Sequence, residues 1–125
     1  MSNVISMDDR RSKNNPRTGT IRDRRYAIRY PFAADAELID LASGARTEGV
    51  TSDVSPGGCF ICTSRPMALN VRTRVVLRRK DEAFEAYGLV RVVKPRIGMG
   101  VEFVDVDAPF DTLLARWIEQ LRRAR

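Results

Sequence analysis

The chain contains no histidine, and that omission removes the commonest routes to both catalysis and transition-metal binding. Imidazole is the usual acid–base group near neutral pH and the commonest metal ligand. The sequence also lacks a G-x-S-x-G nucleophile turn and any pair of carboxylates at acid–base spacing, so it is not expected to be an enzyme. Its two cysteines, Cys59 and Cys62, are too few to assemble the four ligands of a zinc site in the usual way. They lie in an apolar run, Cys59-Phe-Ile-Cys-Thr63, that reads as a strand. A separation of three puts the two thiols on opposite faces of extended chain, where they read as core filling rather than as a metal or redox pair. Nothing approaches the run of about 20 apolar residues that spans a bilayer. The N-terminus has no positive start followed by an apolar core, so it does not read as a secretion signal. A cytoplasmic protein without membrane insertion is expected.

Acidic residues are in deficit, giving a net charge of +6 over 125 residues, and the imbalance is local. Residues 1–30 hold eight basic side chains against three acidic ones, whereas the rest of the chain is nearly balanced. A nucleic-acid-binding barrel would carry its basic stripe on the folded body, interleaved with stacking aromatics. Aromatics are only 7% of this chain and its body is close to neutral, so DNA or RNA is not the expected partner.

The length fits one module. Residues 1–21 mix Ser, Asn, Pro, Gly and charge without apolar period and are expected to form a flexible basic N-terminal tail, leaving 22–125 as the folded domain. From Arg25 the pattern alternates, with Arg25, Ala27 and Arg29 on one side and Tyr26, Ile28 and Tyr30 on the other. Extended chain fits this, and Pro31 pushes its predecessor out of the α region. Strands are expected over Ala33–Ile39, Thr47–Asp53, the apolar run after Gly58, Val71–Leu77, Phe84–Val93 and Met99–Val104. Ser43-Gly44, a type II turn at Pro56-Gly57, a solvated loop at Arg78–Glu82 and Lys94–Gly98 punctuate them. About six short strands favour a small antiparallel β-barrel. The period then changes: Phe110, Leu113, Leu114, Trp117, Ile118 and Leu121 recur at three and four residues, marking an amphipathic C-terminal helix that packs on the barrel. Asp107 or Asp111 is expected to cap it.

Two clusters carry the chemistry, Arg25-Tyr-Ala-Ile-Arg29 and Asp53-Val-Ser55-Pro-Gly-Gly58. Guanidinium is a planar fork that pairs bidentately with phosphate oxygens or with the O6 and N7 edge of guanine. A carboxylate accepts from the donor side of the same base. Taken alone, Asp53 and Ser55 would read as turn caps. In this order and separation, Arg-x-x-x-Arg followed by Asp-x-Ser-x-x-Gly resembles the PilZ domain family. The similarity continues through Tyr87-Gly-Leu-Val-Arg-Val-Val93, Gly98-Met-Gly-Val-Glu-Phe103 and the closing helix, over about residues 22–125.

The resemblance implies a mainly β fold, a six-stranded barrel with a C-terminal helix, that binds the bacterial second messenger cyclic di-GMP and needs no cofactor. Carried over, Arg25 and Arg29 would hold phosphates and guanine Hoogsteen edges, and Asp53 and Ser55 would read the opposite edge. Gly58 would let the backbone approach the ligand. Arg24, just before the motif, resembles the extra arginine of variants in which a third guanidinium joins the site. The implied role is that of a receptor that changes conformation on binding and signals to a downstream protein. The alternatives are a ligand-independent adaptor of the same fold and a small nucleic-acid-binding barrel.

Overall fold

The computed structural model describes residues 28–124. The expected tail, together with Arg24 and Arg25, lies outside the described residues. Seven strands and one helix follow: β1 (Tyr30–Pro31), β2 (Asp35–Asp40), β3 (Arg46–Ser55), β4 (Gly58–Cys62), β5 (Arg72–Arg79), β6 (Glu82–Lys94), β7 (Gly98–Asp105) and α1 (Phe110–Arg123). All strand pairs are antiparallel, in the order β3-β2-β5-β6-β7-β4, and β4 returns to β3, which closes a six-stranded barrel. The two-residue β1 lies outside the ring and pairs with the end of β3.

Alternation explains the barrel wall. Along β2, β3, β5 and β6 the inward positions carry Leu38, Val54, Val75, Leu77, Phe84 and Val90, all with no solvent exposure. The helix closes one end. Trp117 is 1% exposed and its ring centroid stands 5.1 Å from that of Phe32 and 6.1 Å from that of Phe84. Its indole Nε1 donates to Glu82 Oε1 at 2.8 Å, and Arg116 Nη2 pairs with the other oxygen of Glu82 at 2.5 Å. A buried indole needs a partner for its N–H, and Glu82 at the start of β6 supplies it.

Several local expectations are revised. The Arg78–Glu82 stretch is not a loop: β5 and β6 run through it, and the turn is only Lys80-Asp81, with Lys80 at φ 57. Pro56-Gly57 does form the β3–β4 turn, but the glycine at positive φ is Gly44, at φ 79, so the type II geometry is absent. Neither Asp107 nor Asp111 holds the N-cap position, although the Asp111 carboxylate accepts from the first-turn amide of Thr112 at 2.7 Å. Pro109 occupies the N-cap, and the Asp107 carbonyl accepts from the amides of Phe110 and Asp111. Ile28 does not share the burial of Tyr30; it is 59% exposed, whereas Tyr30 is 5%.

Two of the sheet's irregularities bear on function. The β3–β4 register slips at Ser52, and the β6–β7 register slips at Arg91. Each is a bulge, an extra residue that turns its strand and re-aims a side chain.

Candidate functional site

Arg29 reaches its place through the segment that follows it. Tyr30 and Pro31 pair with Val54 and Asp53, and Phe32 N–H donates to the Ser52 carbonyl at 3.1 Å. Thr51, 3% exposed, fastens the segment further. Its hydroxyl donates to the Phe32 carbonyl at 2.6 Å and accepts from Ala34 N–H at 2.9 Å. Buried Tyr30, Phe32 and Ala34 anchor the same stretch in the core. Arg29 is thereby delivered beside Asp53, although the two are 24 residues apart in sequence. Its Nε and Nη2 both donate to Asp53 Oδ1, at 2.9 and 2.5 Å. Ser52 Oγ donates to the other carboxylate oxygen at 3.1 Å. The Arg29 side chain stays 52% exposed and that of Asp53 29%, so the pair sits on the surface and remains reachable.

The pair forms one wall of an open cleft of about 810 Å³ on the outer face of β3, β4, β7 and β6. That volume is in the range of small-molecule sites. Asp53, Phe60, Gly100 and Val92 lie on successive strands across it, and the last three form an apolar floor. Gly98 lies under the Phe60 ring, and a Cβ there would come within 2.7 Å of it. Lys94 Nζ stands 5.5 Å from the Phe60 ring centroid. On the wall opposite Arg29, Arg91 Nη1 lies 3.5 Å from Glu102 Oε1.

Ser55 and Gly58 also line the cleft, and each has a visible duty within the protein. Ser55 is 4% exposed; its hydroxyl accepts from Gly57 N–H at 3.2 Å and points at the Gly58 carbonyl at 3.4 Å. A Cβ on Gly58 would stand 2.2 Å from the Val101 carbonyl oxygen, so the absence of a side chain lets β4 approach β7. Directly behind the cleft is Cys59, 1% exposed. Burial, with some help from Asp53 and opposed by Arg29, pushes its thiol up to about 12, which leaves no thiolate for redox or metal chemistry at neutral pH. Cys62 is exposed, on the opposite face as its spacing requires. Among the described residues no group of three or more His, Cys, Asp or Glu side chains could hold a metal ion.

Sequence reasoning did not assign Phe60, Arg91, Val92, Lys94 or Glu102 to the site. They come from the far strands, and only the register of β4, β7 and β6 brings them to the motif residues.

The PilZ domain model matches residues 23–120. The chain belongs to the PilZ domain family. The fold agrees with solved structures of PilZ domains. The PilZ domain of YcgR from Escherichia coli, solved with c-di-GMP, superposes with a TM-score of 0.67 at 16% identity over 82% of this chain and 94% of that one. The PilZ domain of CeSA from a cellulose-synthesizing bacterium gives 0.58 at 22% identity, covering 76% of this chain and 98% of its own. The Bacillus subtilis inhibitor of motility MotI/DgrA gives 0.65 at 16% identity over 82% of this chain, which spans only 53% of MotI/DgrA. No curated protein matches the chain significantly. No helix among the described residues is long and apolar enough to cross a membrane.

Proposed function

We propose that this PilZ domain is a receptor for cyclic di-GMP that passes the binding event to a downstream protein in the cytoplasm and catalyses nothing. The observation that carries this reading is the meeting of Arg29 and Asp53, one from each motif, at the lip of a nucleotide-sized cleft. The YcgR domain with the same fold was solved with c-di-GMP. Arg29 offers a fork to phosphate or to the guanine O6/N7 edge, and Asp53 offers an acceptor to the guanine donor edge. Arg24 and Arg25, a few residues ahead of Arg29, would add the remaining charge for two phosphates. Ser55 and Gly58 act here chiefly by shaping the turn that presents Asp53. The receiving domain is taken as 22–125 and the basic segment 1–21 as the part that ligand draws in, producing a new surface for the partner.

Isothermal titration with cyclic di-GMP tests the reading, run beside Arg25→Ala/Arg29→Ala and with GTP as control. Micromolar or tighter binding that the double substitution abolishes supports it; no heat and no thermal shift at high ligand refutes it. Unchanged amide exchange over residues 1–30 on titration would remove the switching step even if binding were real. A ligand-independent adaptor is the second reading. It draws on the ion pair between Arg29 and Asp53, in which each motif residue has a partner within the protein.

A further inference from the structure

Antiparallel alternation sends the β2–β3, β4–β5 and β6–β7 connections to one end of the barrel and α1 to the other. The three connections are tied together: Leu41 N–H donates to the Arg72 carbonyl at 3.0 Å, Thr63 N–H to the Ile97 carbonyl at 3.1 Å, and Thr47 Oγ1 to the Arg65 carbonyl at 3.2 Å. Each exposes one large aliphatic side chain, Leu41 at 50%, Leu69 at 55% and Ile97 at 61%. Singly scattered exposed aliphatics are ordinary, but one on every connection at the same end is a pattern. Charge gathers there as well. Residues 40–48, 62–72 and 94–98 carry five cations and two carboxylates, whereas the other positions of 31–125 carry nine cations and eleven carboxylates. The near-neutral body is thus polarised, with its positive pole at the loop end. One of the two carboxylates there, Asp40, is engaged in accepting from the amides of Ala42 and Ser43. Arg65, Arg72 and Arg96 are exposed, and none of them is in an ion pair among the described residues. Arg96 holds left-handed backbone at φ 63, a conformation that glycine or asparagine would adopt with less strain.

We propose that this loop end docks on an anionic lipid surface, with Leu41, Leu69 and Ile97 entering the headgroup layer and Arg65, Arg72 and Arg96 lying among the lipid phosphates. Unpaired cations supply the attraction to a negative surface, and apolar tips supply the part of the binding that survives salt. Guanidinium suits the phosphate contact, because its planar fork pairs with two oxygens at once. Each aliphatic side chain stands on a separate loop rather than lining one recess. A deformable lipid surface receives three such points together, whereas a protein partner binds through anchors gathered in a packed, dry centre. Contact of this kind rests on the bilayer and spans nothing. The barrel then stands on its loop end with α1 farthest from the lipid. Asp53 lies near the β3–β4 turn at that far end, so the lip of the cleft stays open to solution. The proposal is independent of the cyclic di-GMP reading and goes beyond it.

The test is sedimentation of the full chain with vesicles of equal parts phosphatidylglycerol and phosphatidylcholine, beside vesicles of phosphatidylcholine alone, at low and at high salt. Binding is expected to the anionic vesicles only. The triple variant Arg65→Gln/Arg72→Gln/Arg96→Asn is expected to weaken it about 100-fold at low salt. The variant Leu41→Ser/Leu69→Ser/Ile97→Ser is expected to lose the salt-resistant part, about tenfold or more. All six positions are exposed, and a thermal melt of each protein verifies its fold. Orientation has its own readout, because the chain's single tryptophan, Trp117, lies at the helix end. Lipids brominated in their acyl chains should quench the fluorescence added by Ile97→Trp and leave that of the wild-type protein unchanged. Vesicle binding that both triple variants retain within about threefold of wild type would assign it to the basic N-terminal segment and overturn the proposal. Absence of wild-type binding to anionic vesicles would overturn it too. Binding to poly-glutamate in place of vesicles would make this end a protein-docking surface, against the proposal.

Discussion

Replacing Gly58 by alanine should weaken the fold itself, before any ligand is considered. A Cβ at this position would lie 2.2 Å from the Val101 carbonyl oxygen and 3.2 Å from Glu102 Cα, both backbone atoms of β7, and real Cβ atoms essentially never come within 3.0 Å of such atoms. No side-chain rotation relieves this contact, so β4 must move away from β7 where the Gly58–Glu102 and Cys59–Val101 pairs hold them together. Overpacking of this kind costs about 1–3 kcal/mol. For a domain of this size each kcal/mol moves Tm by about 4–8 °C, so the melting temperature should fall by about 5–20 °C. Gly44 is the control. It sits at φ 79 with no atom within 4 Å of an added Cβ, so its alanine variant meets backbone strain alone, about 1 kcal/mol. Asparagine, which tolerates left-handed backbone, should recover stability at Gly44 but not at Gly58. The assay is thermal unfolding followed by circular dichroism in ligand-free buffer. A Gly58→Ala protein melting within about 1 °C of wild type would refute the argument and return this glycine to a purely ligand-facing role.

Further outcomes follow from the same geometry. Trp117→Ala should cost about 3–5 kcal/mol, measured by urea denaturation, because a fully buried indole leaves a cavity against Phe32 and Phe84. The hydrogen bonds from Arg116 and then from Trp117 hold the Glu82 carboxyl below its ordinary 4.5. Its contribution to stability is therefore fully present above that value and is lost as pH falls through the lower folded-state pKa. Glu82→Gln should flatten this part of the acid-side decline in a series of melts across pH, and an unchanged slope would count against the pair. Thiol titration of the native protein should label exposed Cys62 quickly and Cys59 only after unfolding; equal rates would show that Cys59 is not sealed in the core. Asp53→Ala should reduce cyclic di-GMP affinity while lowering the melting temperature by no more than about 4–8 °C, since an exposed ion pair is worth at most about 1 kcal/mol.

Most of the barrel was legible because its signals are local. Strand alternation at Leu38, Val54 and Phe84, and the helical spacing of Leu114 and Trp117, mark buried faces whatever lies opposite. The thiol faces followed for the same reason: three steps along a pleat settle them. Partners and register did not follow. Arg78 and Arg79 read as loop because they are charged, yet they are paired strand residues whose outward faces tolerate charge, with Arg78 Nη1 3.6 Å from Glu37 and Arg79 over the Phe32 ring. The helix start was half legible: the Asp111 carboxylate does accept from a first-turn amide, that of Thr112, but Pro109 holds the N-cap and the Asp107 carbonyl takes the amides of Phe110 and Asp111. In the site, Asp53 and Arg29 were legible as motif residues. Phe60, Arg91, Lys94 and Glu102 were not, since their membership depends on which strand lies beside which and on a one-residue slip that no local pattern announces.

The cleft straddles the seam where β4 meets β7, so a molecule bound in it would be coupled to the closure of the barrel. Gly58 and Glu102 face each other across that seam although they are far apart along the chain, so the floor does not exist until a distant pairing has formed. Such non-local contacts make barrels slow to assemble. Any excursion that parts β4 from β7 dismantles the recognition surface at once, even if the hairpins and the helix persist. A molecule bound there holds the seam shut, raising the free energy of that opening by mass action with its concentration. Backbone amides of residues 58–62 and 98–102 should therefore gain more protection from exchange on ligand addition than those of β5, which lies on the far side of the ring.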